Sequence, residues 1–185
     1  RNNKELSGGG ILLDQGIHML DLFRFMSDGE YDEIKSFIGK RYWQTDVEDH
    51  ALCLLSFANG VEVQITTSSL ARRPKPRWYV MGTKGTLVKE GLDPQERAMV
   101  AGQIDAAREE PSQYPRLWVE MAGRSAEVVL ETLPGRWRSF YENIAEALQD
   151  RTRLAVKPES VRRVRALIEA ACASAASGQA VRGEG

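Results

Sequence analysis

Two runs of alternating side chains meet at Asn59-Gly60, and nothing else in the chain restricts its fold as much. Ala51, Cys53, Leu55 and Phe57 alternate with His50, Leu52, Leu54 and Ser56 before that dipeptide. Val61, Val63, Ile65 and Thr67 alternate after it. A period of two is that of a strand, and Asn-Gly between such runs is the strongest short signal of an antiparallel hairpin. Leu52 and Leu54 make the first strand apolar on nearly both faces. This predicts a sheet covered on two sides, by helices on one and with a second subunit as the candidate cover for the other.

The remaining pattern extends this core. A strand is expected over about residues 33–42, and a second hairpin over Trp78 to Val88, turning at Thr83-Lys84-Gly85. Further strands are expected at 117–121 and 126–133, ended by Pro134-Gly135. Residues 91–113 are polar and weakly patterned, and a helix, an excursion and a loop all remain open. Helical spacing recurs in Trp137, Phe140, Tyr141, Ile144 and Leu148. It recurs again in Val161, Val164, Leu167, Ile168, Ala171 and Ala175, with Gly178 as the stop. Near the start, an apolar helix follows Ser7-Gly8-Gly9-Gly10 and should stop around Ser27-Asp28-Gly29. The order is helix, antiparallel strands, then two helices. That is an α+β layer, a large and mostly antiparallel open sheet with helices on one face.

A chain of 185 residues fits one domain. Its formal net charge of −1 supplies no long-range attraction toward nucleic acid or an anionic membrane. No apolar run reaches the ~20 residues that span a bilayer, and Arg1-Asn2-Asn3-Lys4-Glu5 lacks the core of a signal peptide. The start without Met suggests a fragment or a processed chain. The two cysteines, Cys53 and Cys172, have no partner at metal or redox spacing. They read as small buried hydrophobes in a reducing, cytoplasmic compartment.

Chemistry concentrates at Asp14, His18 and Asp21, which interrupt the apolar stretch from Ile11 to Met26. Offsets of four and seven place them on one helical stripe. Because most of that helix is apolar, the stripe is expected to be partly buried, where polar groups need partners or a task. A carboxylate one turn before an imidazole is a proton-handling pair or a satisfied core pair. Asp21 reads as structural, bonding backbone or Arg24, and Gly16 as a place where another element packs closely. Gly8-Gly9-Gly10 does not make a dinucleotide fingerprint, because Leu13 stands where the last glycine is needed and no strand precedes. A metal held by His18, His50, Asp14 or Asp49 has no supporting spacing. Arg72, Arg73, Lys75 and Arg77 form a solvated loop, a subunit contact or an anion site. Tyr42, Trp43 and Trp78 belong to the core or line a pocket.

The segment from Gly8 through Asp14 and His18 to Asp21 resembles the Gfo/Idh/MocA oxidoreductases. The likeness continues in order through Val47-Glu48-Asp49 before the strand 52–57, its Asn59-Gly60 turn, and Gly82-Thr83-Lys84-Gly85-Thr86. It extends to Phe140-Tyr141-Glu142-Asn143 with Ala145-Glu146-Ala147, and to Ala173-Ser174 with Gly178. Nearly the whole chain except 91–113 takes part. The resemblance implies that residues 1–185 are the C-terminal substrate-binding and oligomerisation domain, with an N-terminal Rossmann domain lying outside this chain. It implies hydride transfer between a nicotinamide and a sugar, polyol or related carbinol. His18 would be the general base for the hydroxyl proton, and Asp14 would hold the ring or a substrate hydroxyl. NAD or NADP would be a cofactor of the full-length protein, with none bound by this fragment, and the family's lysine partner would lie in the Rossmann part. The isolated chain is therefore expected to be inactive, and a homo-oligomer through the sheet is expected. The alternative is a non-catalytic oligomerisation or partner-binding module in which Asp14 and His18 serve structure.

Overall fold

The computed structural model describes residues 3–27 and 31–183. The elements begin with α1 (Lys4–Ser7), a π-helical turn (Leu12–Gly16), α2 (Ile17–Met26), β1 (Tyr31–Gly39), β2 (His50–Phe57) and β3 (Glu62–Ser68). There follow β4 (Trp78–Gly82), β5 (Gly85–Lys89), α3 (Gln95–Val100), β6 (Arg116–Met121) and β7 (Arg124–Val129). The chain closes with α4 (Arg138–Ala147), α5 (Pro158–Ser177) and β8 (Val181–Arg182). These elements form two compact units, one of Arg1–Arg72 with Val156–Gly185 and the other of Arg73–Ala155.

The first unit holds an antiparallel sheet in the order β3-β2-β1-β8. Its hairpin is the one that the sequence specifies. The Phe57 N–H donates to the Val61 carbonyl at 3.0 Å, and the Gly60 N–H to the Phe57 carbonyl at 2.9 Å. Gly60 takes φ of 81°, which a side chain would resist. The result is the three-residue variety of hairpin loop. Ala51, Cys53, Leu55 and Phe57 are buried and meet Leu12, Leu20, Leu167 and Ile168 from the helices. The opposite face leaves Phe37 at 47% and Leu54 at 39% exposure, so the two-sided cover expected of β2 is met on one side.

Along α5 the buried stripe runs Val164, Leu167, Ile168, Ala171, Ser174, and Gly178 ends the helix with φ of 71°. Val161 lies outside that stripe at 50% exposure. Cys172 is exposed, against the expectation for both cysteines, because it sits one residue round the helix from inward-facing Ala171. Ser174 has a specific task. β8 pairs with β1 only at Ile34 and Glu33. The Ser36 N–H donates instead to Ser174 Oγ at 3.0 Å, and that hydroxyl donates to the Gln179 carbonyl at 2.7 Å. A short strand is completed by one serine.

The second unit carries the sheet β4-β5-β6-β7, also antiparallel. The α+β class therefore holds, whereas the single large sheet is instead two of four strands each. Pro74 and Pro76, between β3 and β4, lack the N–H that a ladder requires. Residues 91–113 contain the short helix α3 and two 3₁₀ turns, Ile104–Ala106 and Pro111–Gln113. β7 ends at Val129, four residues before the expected limit. Helix α4 forms where its period predicts, but Phe140, Tyr141 and Leu148 remain 49%, 71% and 82% exposed.

Candidate functional site

The site is built on the passage from α1 into the π turn. A Cβ on Gly10 would lie 2.2 Å from the Glu48 carbonyl oxygen, so glycine is required there by contact with backbone. Across that contact the Ile11 N–H donates to the Glu48 carbonyl at 3.1 Å. The Glu48 carboxylate accepts from the N–H of Gly10 at 2.9 Å and of Leu12 at 3.2 Å. Glu48 thus satisfies donors that the start of a helix would otherwise leave open, with its negative charge at the favourable end.

The turn it anchors is wide. Ile17 donates its N–H to the Leu12 carbonyl, five residues back. One consequence is that Asp14, His18 and Asp21 do not share the unbroken α-helical stripe that their spacing predicts; the π turn rotates Asp14 relative to the other two. All three are exposed, which corrects the expectation of partial burial. Leu12 and Leu20 take the core side of the helix, while Phe25 and Met26 carry its apolar surplus into the open. Asp21 pairs with Arg24 at 3.7 Å, as its position suggested. The space beside Gly16 is filled by Leu12 of the preceding turn, 2.7 Å from where a Cβ would stand, rather than by another element. Met26 is the last helical residue and Ser27 caps it, whereas Asp28 and Gly29 of the expected stop lie outside the described residues.

Asp14 lines a cavity of about 800 Å³ in the first unit, together with Gly9, Gly10, Trp43, Glu48 and Ser69. Gln15 Nε2 donates to the Asp14 carboxylate at 3.2 Å. His18 stands on the first turn of α2, open to a ligand but outside the lining of that cavity. The far wall is the loop joining β1 to β2. Asp49, buried at 4% exposure, accepts three successive backbone N–H groups, from Arg41 at 2.8 Å and from Tyr42 and Trp43 at 2.9 Å. Burial pushes its carboxyl upward, but those donors outweigh burial and hold it below the usual carboxylate range. Asp49 is thereby a loop anchor rather than a metal ligand. Among the described residues no group of three or more His, Cys, Asp or Glu side chains could hold a metal ion. His50 opens β2 half-buried, opposite Gly39 and Ser68. Residues 72–77 are exposed.

Sequence reasoning left Trp43 undecided between core and pocket and gave Glu48 no role. The available signal was Val47-Glu48-Asp49, two carboxylates set immediately before an apolar strand, where neither belongs to the alternation.

The glycine run does not fit the phosphates of a dinucleotide. The amides of Gly10 and Leu12 are already engaged by a carboxylate, whose charge repels another anion. A nicotinamide cofactor therefore has no seat on this run.

Residues 1–88 match the sequence model described as the GFO/IDH/MocA C-terminal domain. Over that stretch the chain carries the GFO/IDH/MocA C-terminal domain. Among its relatives, scyllo-inositol 2-dehydrogenase (NADP(+)) of Bacillus subtilis is 24% identical over 92% of this chain and 48% of its own length. Trans-1,2-dihydrobenzene-1,2-diol dehydrogenase of Sus scrofa is 36% identical over 46% of this chain and 24% of its own. The crystal structure of an NAD-binding protein from Listeria innocua superposes with a TM-score of 0.77 at 25% identity. That match covers 96% of this chain and 49% of the other. The chain spans about half the length of the curated relatives that it matches along most of its length. No helix among the described residues is long and apolar enough to cross a membrane.

Proposed function

We propose that this chain is the substrate-binding and proton-transfer domain of a cytoplasmic, nicotinamide-dependent dehydrogenase acting on a secondary alcohol of a sugar or cyclic polyol. The observation that carries the reading is one helix passage that presents Asp14 to a cavity and, one turn on, an accessible imidazole. His18 takes the proton of the carbinol hydroxyl in oxidation and returns it in reduction. Imidazole exchanges protons near neutral pH, which suits both directions. Asp14 holds the ring or a neighbouring hydroxyl. Hydride acceptance belongs to NAD or NADP, bound by the part of the full-length protein that lies outside this chain. The names of the Bacillus and Sus scrofa relatives favour a hydroxyl borne on a six-membered ring.

In the full-length protein, His18→Ala should lower kcat by roughly 10²–10⁴-fold. The melting temperature should hardly move, since the side chain is exposed. Unchanged turnover would remove His18 from the chemistry, and a large loss of stability would return it to a structural role. The exposed Phe37 and Leu54 favour, in addition, pairing of two copies through the outer face of the first sheet. Light scattering that finds a monomer at micromolar concentration would refute that pairing.

A further inference from the structure

The loop between β1 and β2 spans residues 40–49 and is braced more firmly than an exposed connection needs. Its base is closed by the Asp49 N–H donating to the Gly39 carbonyl at 3.2 Å and the Ser69 N–H donating to the Asp49 carbonyl at 2.9 Å. Its tip is fixed by the buried Asp49 carboxylate, which receives the N–H groups of residues 41, 42 and 43 together. The side chain delivered by this bracing is Trp43. It is 51% exposed and lines the same cavity as Asp14. The Tyr42 ring stands perpendicular to the indole, with centroids 4.9 Å apart. A large aromatic surface held still and left open is what a ligand can use without a further ordering cost. Glu48 and Asp49 also border the cavity, but their carboxylates are engaged by backbone donors.

We propose that Trp43 is a specificity-determining residue of this cavity, laying its indole face against the C–H face of a ring-shaped polyol whose hydroxyls reach Asp14. The face of an aromatic ring is its negative side, and the C–H groups of an oxygenated ring are its positive counterpart. A cyclic polyol presents several such C–H groups in one plane, whereas an open-chain polyol of equal hydroxyl count presents no rigid face. Asp49 is the positioning residue behind Trp43. The inference rests on the reading that this cavity receives the substrate.

The test is a titration of the 185-residue chain with scyllo-inositol and with sorbitol, which carry equal numbers of hydroxyls. It is followed through the indole N–H signals of its four tryptophans in nitrogen-15 spectra. The signal of Trp43 is assigned by its disappearance in Trp43→Phe. Scyllo-inositol should shift that signal saturably and bind roughly 10-fold more tightly than sorbitol. Trp43→Ala should weaken inositol binding by roughly 3–10-fold, and Trp43→Phe should retain most of it. Equal affinities for ring and open chain, an unchanged affinity in Trp43→Ala, or no saturable shift would each overturn the proposal. The two readings fail separately. Ring binding that needs Trp43 alongside undiminished turnover in full-length His18→Ala would sink only the catalytic role. Lost turnover in His18→Ala with an indifferent Trp43 would sink only the specificity role.

Discussion

The two units of this chain reach order by different means. In the first, amphipathic strands and helices enclose a dry core: Leu12, Leu20, Ile34, Leu55, Ile65, Leu167 and their neighbours are all buried. In the second, Gln95 is the one buried side chain among the described residues. That glutamine donates its side-chain amide to Asp93 and accepts the Trp137 N–H at 2.8 Å. A half-hidden Lys89–Glu109 ion pair, joined by the Thr132 hydroxyl, ties the same unit elsewhere. Apolar side chains there, Met81, Met121, Leu133 and Tyr141 among them, stay in the open. Burial organises one half and polar knots organise the other. A core built by area resists local opening, whereas ladders that carry no fully buried side chain fray early.

Substitutions at matched depth would break or sharpen that contrast. Leu20→Ala, at a side chain with no exposure, should cost about 2–5 kcal/mol in chemical denaturation. A cost below ~1 kcal/mol would mean that the first core is looser than its packing implies. Ser174→Ala strands the Ser36 N–H and the Gln179 carbonyl, and should cost about 1–3 kcal/mol. Asp49→Asn cannot accept all three loop N–H groups, and should lower the melting temperature by several degrees at neutral pH. The Asp49 carboxyl titrates below its ordinary value of 3.8, so its contribution is present above that pH and fades as pH falls through the lower, folded value. The variant's melting curve should therefore approach the wild type's as acid is added. A gap that widens in acid would contradict the anchoring role. At the small end, Leu148→Ala on α4 should change stability by no more than about 0.5 kcal/mol, because its side chain is 82% exposed. Amide exchange should order the whole comparison, with β1 and β2 slower than β5 and β6.

The same contrast explains what the sequence disclosed. The hairpin at Asn59-Gly60, the α5 stripe and the Gly178 stop were readable because periodic burial writes itself into residue order. Residues 91–113 were opaque because Gln95 and Glu109 are held by partners far along the chain, and no period records such ties. The α4 pattern was legible as a helix but not as an exposed one, since spacing fixes a face and not its cover. At the site, Asp14 and His18 stood out as polar breaks in apolar sequence. The π turn that offsets them has no compositional mark, and the engagement of Glu48 with Gly10 joins residues 38 apart. Trp43 was visible as an aromatic, whereas its place on the cavity wall depends on a carboxylate six residues later.

Ser174 carries one more consequence. A strand flanked by a partner only two residues long would ordinarily present bare amides along its border, a template on which a stray chain can add itself. By occupying the Ser36 amide with a hydroxyl from a covering helix, the protein closes part of that border without lengthening the sheet. Loss of the hydroxyl should therefore be felt beyond melting temperature, as a faster onset of fibrillar aggregation at concentrations where the wild type stays dispersed.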